Sequence, residues 1–248
     1  MNAPLKLVIA GNHDFTLDIP VFQKKVAEAQ PPLDPQLVQQ AYGCYGEARR
    51  LFCEETGIKF LDEGTHYFRL RNGASLNVYA SPYTPSLGDW GFQYHPEHGH
   101  DFSIQNVDIV MTHGPLKGIM NHTHSGQRAG CPFLFEAVAR ARPRMHCFGH
   151  IHEAWGAKLV TWRQRISAKP SHLTDIDNER SILIDRLADL KKKAGLTSMK
   201  CFGTSHCSED PNPLHWLQTL FINAAVQGDE DLPIQPPWLI DLELLPAS

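Results

Sequence analysis

The sequence predicts a single α/β domain, on the basis of its strand pattern, its helix boundaries and its length. Short apolar runs closed by glycine or polar residues are typical of buried strands. Three such runs are Leu5–Ala10, Asp108–Met111 and Met145–Phe148. Pro132 opens a helix that must end before Pro143. A length of 248 residues suits one domain of this class, so we expect the domain to span residues 1–248.

The first half of the chain also carries signals for one further helix and one hairpin. Asp34 is a good N-cap and Pro35 suits the first helical position, so we expect a helix from there to about Glu55. Asn72 and Gly73 form a hairpin turn signal between two strands. Those strands are expected at His66–Arg71 and Ser75–Ala80.

Residues 163–215 carry fewer helix and strand signals than the rest of the chain, and we interpret them as an insertion on the domain. Its one clear element is an amphipathic helix at about Asn178–Ala194. Acidic residues lie in the first turn of this helix and lysines in its last turn, as the helix dipole favours. Two closing strands are expected after it, at Leu217–Ala224 and Trp238–Leu245.

Composition argues against several classes of partner. The net charge of −4 gives no electrostatic case for a nucleic-acid polymer. No apolar run approaches the ~18 residues of a membrane span, and Leu5–Ala10 is too short for the core of a signal peptide. The six cysteines include no C-x-x-C pair, which favours free thiols in a reducing compartment. We therefore expect a cytoplasmic protein with neither a nucleic-acid nor a membrane partner.

Histidine-bearing motifs follow the three strands named first. They are Gly11-Asn12-His13-Asp14, Thr112-His113-Gly114-Pro115 and Gly149-His150-Ile151-His152. In open α/β sheets ligands bind just beyond the carboxyl ends of the strands, so these motifs should converge on one edge. A single histidine after a strand is usually structural, but three such motifs together indicate a common site.

The residue types of these motifs suit a divalent metal. Imidazole nitrogens with an amide or carboxylate oxygen favour Mn, Fe or Zn over Ca or Mg. The spacing of His150 and His152 would direct them to two neighbouring ions. Two ions ~3.5–4 Å apart clamp a phosphate ester and supply a bound hydroxide as the nucleophile. His13 would donate a proton to the leaving oxygen, with Asp14 as its candidate orienting partner.

The motifs together resemble the calcineurin-like metallophosphoesterase superfamily. Longer stretches are similar to its metallophosphoesterase-domain-containing branch, in the fungal type. These stretches are Ser81-Pro82 through Trp90, Phe92 and Tyr94, Thr112 to Gly118, Gly130-Cys131, Phe148 to Glu153, Asn223 to Ala225, and Pro236 to Leu239. The resemblance implies a four-layer α/β/β/α sandwich and metal-dependent hydrolysis of a small phosphate ester, with cyclic nucleotides among the substrates.

The resemblance also implies a role for each matching residue. Asn12, His113 and His150 would hold one metal, and His152 would hold the other. His13 would be the proton donor. The expected cofactor is therefore one or two divalent ions of Mn, Fe or Zn, and the expected partner is a small-molecule phosphate ester.

The chain departs from the family pattern before Gly11. The family carries an Asp-x-His motif and a Gly-Asp motif upstream of GNHD, whereas only Met1–Ala10 precede it here. We therefore expect the first βαβ unit to be missing, in a truncated product or in a naturally shortened relative. A missing unit would expose a sheet edge, which favours a homo-oligomer or another pairing partner.

Losing those motifs leaves His152 as the sole ligand of its metal. Three ligands with an open position can still hold one metal, so a rearranged single-metal site that includes His152 is an alternative. A second alternative is that a carboxylate from another part of the chain replaces a missing ligand. The candidates by residue type are Asp14, Asp18 and Glu63.

Several other residues near the motifs have two interpretations. His122 and His124 follow the second motif closely enough to line the same cleft, so they are candidate substrate contacts, or else surface residues. Trp90 is more often an anchoring aromatic of its loop than a base-stacking platform. The group Cys201, His206, Cys207 and His215 matches no common zinc spacing, and we interpret it as loop.

Three hypotheses for function follow. The first is a metal-dependent phosphoesterase, in particular a phosphodiesterase, with His13 as proton donor. The second is a single-metal hydrolase or lyase that acts on a non-phosphate molecule, with the metal as Lewis acid. The third is a non-catalytic protein that binds a ligand or partner in the same cleft.

Overall fold

The computed structural model describes residues 3–54, 57–196, 204–206, 216–228 and 235–247, and these form a mixed α/β structure. The described helices are α1 Ile19–Glu28, α2 Pro35–Tyr42, α3 Glu47–Glu54, α4 Pro132–Ala141 and α5 Leu187–Leu196. The described strands are β1 Leu7–Val8, β2 Lys59–Phe60, β3 Gly64–Arg69, β4 Ser75–Ser81, β5 Thr84–Pro85, β6 Gln93–Tyr94, β7 Ile109–Thr112, β8 Met145–Phe148, β9 Gly156–Trp162, β10 Ile176–Arg186, β11 Thr204–His206, β12 Gln218–Asn223 and β13 Trp238–Ile240.

A seven-stranded mixed sheet forms the centre, with the order β10-β9-β12-β8-β7-β4-β3. Its four inner strands β4, β7, β8 and β12 run parallel, while β3, β9 and β10 run antiparallel to their neighbours. Helix α4 covers one face of this sheet. There Leu134, Phe135 and Val138 pack with Val110 and Phe221 in the largest apolar cluster.

Local sequence signals explain the ends of α4. Cys131 is the N-cap, and its Sγ accepts a hydrogen bond from the backbone N–H of Leu134 at 3.1 Å. Pro132 then occupies the first turn, where its missing N–H costs nothing. Arg142 closes the helix in the left-handed region with φ of 47°, just before Pro143. The predicted bounds of this helix are confirmed.

The expected hairpin is also present. Strand β3 pairs antiparallel with β4, and Gly73 takes the positive φ of 84° that the turn requires. The helix expected from Asp34 begins where predicted, because the Asp34 carboxylate accepts from the backbone N–H of Gln36 at 2.8 Å. It breaks after Tyr42 at Gly43, whose φ is 74°, and resumes as α3.

Two predictions in the last third of the chain are wrong in part. The helix expected over Asn178–Ala194 is a strand in its first half, because β10 pairs with β9 at the edge of the central sheet, and only α5 is helical. Strand β13 ends at Ile240 rather than Leu245, and it pairs with β11 outside the central sheet. The group Cys201, Cys207 and His215 lies outside the described residues.

The parallel strands end together at one edge of the sheet. Their last residues are Ser81, Thr112, Phe148 and Asn223. Strand β1 lies in a separate two-stranded parallel sheet with β2, and it leads into the first histidine motif. The α/β class is therefore confirmed, while the four-layer sandwich and the single domain stay predictions.

In the described parts of the chain, no helix has the length and apolar character that a membrane crossing requires.

Candidate functional site

The three histidine motifs meet at the edge where the parallel strands end. Nε2 of His113 lies 2.7 Å from Oδ1 of Asn12, so the imidazole donates to the amide oxygen. The ring centroid of His113 is 4.8 Å from that of His150. His13 and His152 are near enough to lower the pKa of His113 by their charge. The structure therefore brings all five predicted residues to one place, although their roles stay predictions.

The turn after β1 carries Asn12 and His13, and hydrogen bonds between Gly11 and Asp14 close it. The Asp14 carboxylate accepts from the backbone N–H of Gly11 at 2.7 Å, and the Asp14 N–H donates back to the Gly11 carbonyl at 3.1 Å. A Cβ on Gly11 would lie 2.7 Å from Cε1 of His113, so only glycine lets that ring rest against the turn. Asp14 thus holds the turn, and its predicted role in orienting His13 is not tested by this contact.

Main-chain geometry fixes His150 beside His113. The backbone N–H of Gly149 donates to the carbonyl of His113 at 3.0 Å, which continues the pairing of β7 with β8 past the strand ends. His150 itself has a φ of 68°, in the left-handed region that costs a side-chain-bearing residue energy. Such strain is typical of residues that a site holds in a particular direction.

Two buried amides support the third motif, and sequence reasoning did not assign either of them to the site. Asn223, at the end of β12, donates from Nδ2 to the Ile151 carbonyl at 2.8 Å and is fully buried. Gln235 donates from Nε2 to the His152 carbonyl at 3.0 Å. The resemblance to known proteins includes Asn223, but neither residue carries a sequence signal that reveals its partner.

A buried polar pair lies directly behind His113. Thr112 donates from Oγ1 to the carbonyl of Gly114 at 2.7 Å, so it must accept from Nε2 of His146 at 2.8 Å. Burial lowers the pKa of His146 to about 3, and the imidazole is neutral near neutral pH. This pair fixes the start of the second motif from inside the sheet.

Two histidines of the site, His113 and His150, have lowered pKa values. Burial first, and then the charges of His150, His13 and His152, lower the pKa of His113 to about 4. The pKa of His150 is lowered by the same kind of causes, partial desolvation before the charges of His152 and His13. Neutral imidazole is the form that binds a metal. Binding through Nε2 of His113 would move its proton to Nδ1 and replace the hydrogen bond to Asn12.

Three of the predicted metal ligands stand close together. Asn12 is nearly fully buried, and its amide oxygen faces the imidazole of His113, with His150 next to it. Among the described residues, no group of three His, Cys, Asp or Glu side chains stands in a metal-holding arrangement. A metal site of two imidazoles and one amide therefore stays a prediction, as does the number of ions.

The carboxylates considered as replacement ligands have other partners. Asp18 accepts from the backbone N–H of Phe92 at 2.8 Å. Glu63 accepts from Ser81 and His100, each at 2.7 Å. Burial opposes ionisation of Glu63, but those hydrogen bonds outweigh it and hold its pKa below the ordinary value. These contacts give no support to Asp18 or Glu63 as metal ligands.

The candidate substrate histidines lie on an exposed loop. The backbone N–H of His124 donates to the Glu153 carboxylate at 2.6 Å, which ties this loop to the residue after His152. In the described part of the chain, neither a hydrogen bond nor a ring contact joins the imidazole of His122 or His124 to the cluster. Their role as substrate contacts stays a prediction.

His13 lies against an aromatic side chain. Its ring centroid lies 4.5 Å from that of Trp90, and the two rings are tilted by 48°. Both side chains are exposed, so His13 lies where the histidine site opens to solvent.

Comparisons with known proteins find relatives that match about three fifths of the chain. The chain is 30% identical over 165 residues to metallophosphoesterase domain-containing protein 1 of Homo sapiens, which covers 61% of this chain and 45% of that protein. It is 29% identical over 164 residues to a UPF0046 protein of Caenorhabditis elegans, with 61% and 39% covered. It is 30% identical over 159 residues to probable rhamnogalacturonate lyase C of Emericella nidulans, with 63% and 13% covered.

The chain thus spans less than half the length of each of these curated relatives. No family model matches it. Over part of its length the chain is therefore similar to proteins named for a metallophosphoesterase domain.

Proposed function

We propose that this protein is a metal-dependent phosphoesterase, in particular a phosphodiesterase acting on a small ester of the cyclic-nucleotide type. The observation that carries the proposal is the convergence of Asn12, His113 and His150 with His13 beside them. The similarity to proteins named for a metallophosphoesterase domain supports the same class of reaction.

Asn12, His113 and His150 would hold a single ion, with His152 as the next candidate ligand. The mixed nitrogen and oxygen donors favour Mn, Fe or Zn. Such an ion, when bound, supplies Lewis-acid polarisation of the phosphoryl group and acidifies water. The neutral state of His113 keeps its ring nitrogen available to the ion near neutral pH.

His13 would move the proton in this reaction. It is exposed at the mouth of the site, where the leaving oxygen of a bound ester departs, and donation from its ring avoids release of an alkoxide. The closed turn around Gly11 and Asp14 fixes the direction of the backbone that carries it. His122 and His124 would contact the substrate from the neighbouring loop.

The remaining expectations belong to the same proposal. They are the four-layer sandwich, a single domain, a cytoplasmic location and self-association. Size-exclusion chromatography with light scattering would test the last of these, and a strictly monomeric chain at micromolar concentration would contradict it.

A second candidate is a single-metal hydrolase or lyase acting on a molecule without phosphate. One observation favours it, the similarity over part of the chain to a protein named probable rhamnogalacturonate lyase C. A non-catalytic binding protein is the third candidate, and it predicts no turnover on any substrate.

Hydrolysis of bis-p-nitrophenyl phosphate separates these candidates. We expect turnover that depends on added Mn²⁺, Fe²⁺ or Zn²⁺ and that a chelator abolishes. His13→Ala should lower kcat by roughly 100-fold or more while the ion stays bound, because only the proton donor is removed. Full activity in His13→Ala would contradict the assigned proton donor. No hydrolysis with any of the three metals would contradict the phosphodiesterase itself.

A further inference from the structure

We propose that a groove beside His13 binds the organic group of the substrate, and that this group is an uncharged planar aromatic ring stacked on Trp90. The inference rests on the proposed function, because it assigns the leaving-group side of the same site. It makes Trp90 a residue that determines which esters the protein prefers.

The groove lies between α1 and the loop that contains Trp90. Its volume is about 550 Å³, and its walls include Lys24, Lys25, Glu28 and Asp89 besides the indole. That volume lies within the range of small-molecule sites. The indole of Trp90 connects the groove with the histidine site. It lines the groove, and its ring centroid lies 4.5 Å from that of His13.

Trp90 is exposed and yet held in position. It keeps 40% of its surface accessible, whereas Trp155 and Trp162 are almost fully buried. The next residue, Gly91, packs so closely that a Cβ there would lie 2.9 Å from the Cα of Phe15. The loop is thus fastened to the turn that carries His13, and the indole does not need to be ordered by a ligand.

Aromatic rings run in a continuous array away from His13. Trp90 contacts Phe15 at 6.2 Å between ring centroids, and Phe15 contacts Phe22 at 5.8 Å and Tyr42 at 5.6 Å. Tilted and edge-to-face contacts of this kind are the favoured geometries of aromatic pairs. A further planar ring at the exposed part of Trp90 would extend the array in the same way.

The charges of the groove balance one another. Lys25 lies 3.0 Å from Asp89, and Lys24 lies 4.0 Å from Glu28. The ammonium of Lys25 is also 4.9 Å from the Trp90 ring centroid, so it is engaged on the indole. These pairs leave no unbalanced positive charge for an anion, which favours an uncharged ring here and the phosphate at the histidines.

Titration with two matched probes tests this assignment without requiring turnover. Phenylphosphonate and methylphosphonate share the anionic head and differ only in the ring. Their dissociation constants would be measured by ligand-observed NMR on the full chain with Mn²⁺. We expect wild type to bind the phenyl probe about tenfold more tightly, as one added aromatic pair allows. Trp90→Leu should reduce that preference to about twofold, while Trp90→Phe should keep most of it.

Trp216→Leu is the matched control, because Trp216 is another exposed tryptophan and lines a different cavity. It should leave the preference unchanged. Equal binding of both probes by wild type, or an unchanged preference in Trp90→Leu, would overturn the groove assignment. Failure to bind either probe would overturn it as well.

Hydrolysis of bis-p-nitrophenyl phosphate by the same samples separates the two claims. Hydrolysis without a phenyl preference leaves the proposed function standing and removes the groove assignment. A Trp90-dependent preference without hydrolysis supports the groove and contradicts the phosphoesterase.

Discussion

The two sides of the candidate site are supported by very different amounts of structure. His113 and His150 stand at the ends of inner parallel strands, backed by buried Thr112, His146 and Asn223. His13 stands on the turn after β1, in the small sheet of β1 and β2, and Trp90 stands on the loop between β5 and β6. Of the helices on that side, α2 and α3 bury none of their side chains fully and α1 buries one, whereas α4 buries four.

This difference separates two tasks. A metal ion would demand donors that keep their distances, and the strand ends hold His113 and His150 in that way. A substrate group needs a wall of suitable shape, and the aromatic side offers one outside the largest apolar cluster. Variants on the sheet side should therefore change both stability and metal binding, while variants on the aromatic side should change substrate preference.

The largest effect is expected where the two sides touch, at Gly11. In Gly11→Ala the new methyl group would meet the His113 ring at 2.7 Å and displace it from Asn12. We expect hydrolysis of bis-p-nitrophenyl phosphate to fall by roughly 100-fold, as misplacement by ~1 Å allows. Gly149→Ala is the control, since its Cβ would meet only ordinary contacts at 3.8 Å. Equal activity in both variants would show that the close approach of Gly11 does not matter.

Asn223→Ala tests the support of the sheet side. It removes buried hydrogen bonds to the Ile151 carbonyl and the Ala225 N–H and leaves both groups without that partner. The free energy of unfolding should fall by about 2–3 kcal/mol in urea titrations. The exposed Asn178→Ala should cost less than about 0.5 kcal/mol. A loss at Asn223 as small as that control would mean that water replaces the amide.

Acid should weaken the sheet side through His146. Its pKa is about 3 in the folded protein and 6.5 when unfolded, so only the unfolded chain gains this proton between those values. The stability it contributes is complete above pH 6.5 and is lost as pH falls toward 3. Between pH 5.5 and 4, the unfolding free energy of wild type should fall faster than that of His146→Gln, by about 1.4 kcal/mol per pH unit. Parallel curves would contradict this.

The smallest effect is expected on the aromatic side, from Asp34→Ala. The Asp34 carboxylate caps α2, and its removal should cost about 0.5–1 kcal/mol or less, because that helix is exposed. Thermal unfolding would measure the loss, and hydrolysis should not change. An effect on hydrolysis larger than twofold would show that α2 is coupled to the histidines.

Sequence patterns predicted the elements whose signals are local. Pro132 and Pro143 bracket α4, Asn72 and Gly73 mark the hairpin, and the apolar runs before the histidine motifs are strands of the structure. Placement of the motifs at strand ends was enough to expect that Asn12, His113 and His150 meet.

The structural features that were not predicted from the sequence depend on tertiary contacts. Residues Asn178 to Arg186 have helical periodicity, yet pairing with β9 turns them into an edge strand, so long-range hydrogen bonds override local preference. The helix α1 was not predicted, and its start is set by Asp18, which accepts weakly from the backbone N–H of Val21. The supports Asn223 and Gln235 are distant in sequence from the carbonyls that they contact.

Metal content tests the central claim most directly. Elemental analysis of the purified chain, of His113→Ala and of His152→Ala after equilibration with Mn²⁺, Fe²⁺ or Zn²⁺ would give the number of ions per chain. A single ion held by Asn12, His113 and His150 predicts one ion in wild type, none in His113→Ala and one in His152→Ala. Two ions in wild type, or one ion that persists in His113→Ala, would contradict it.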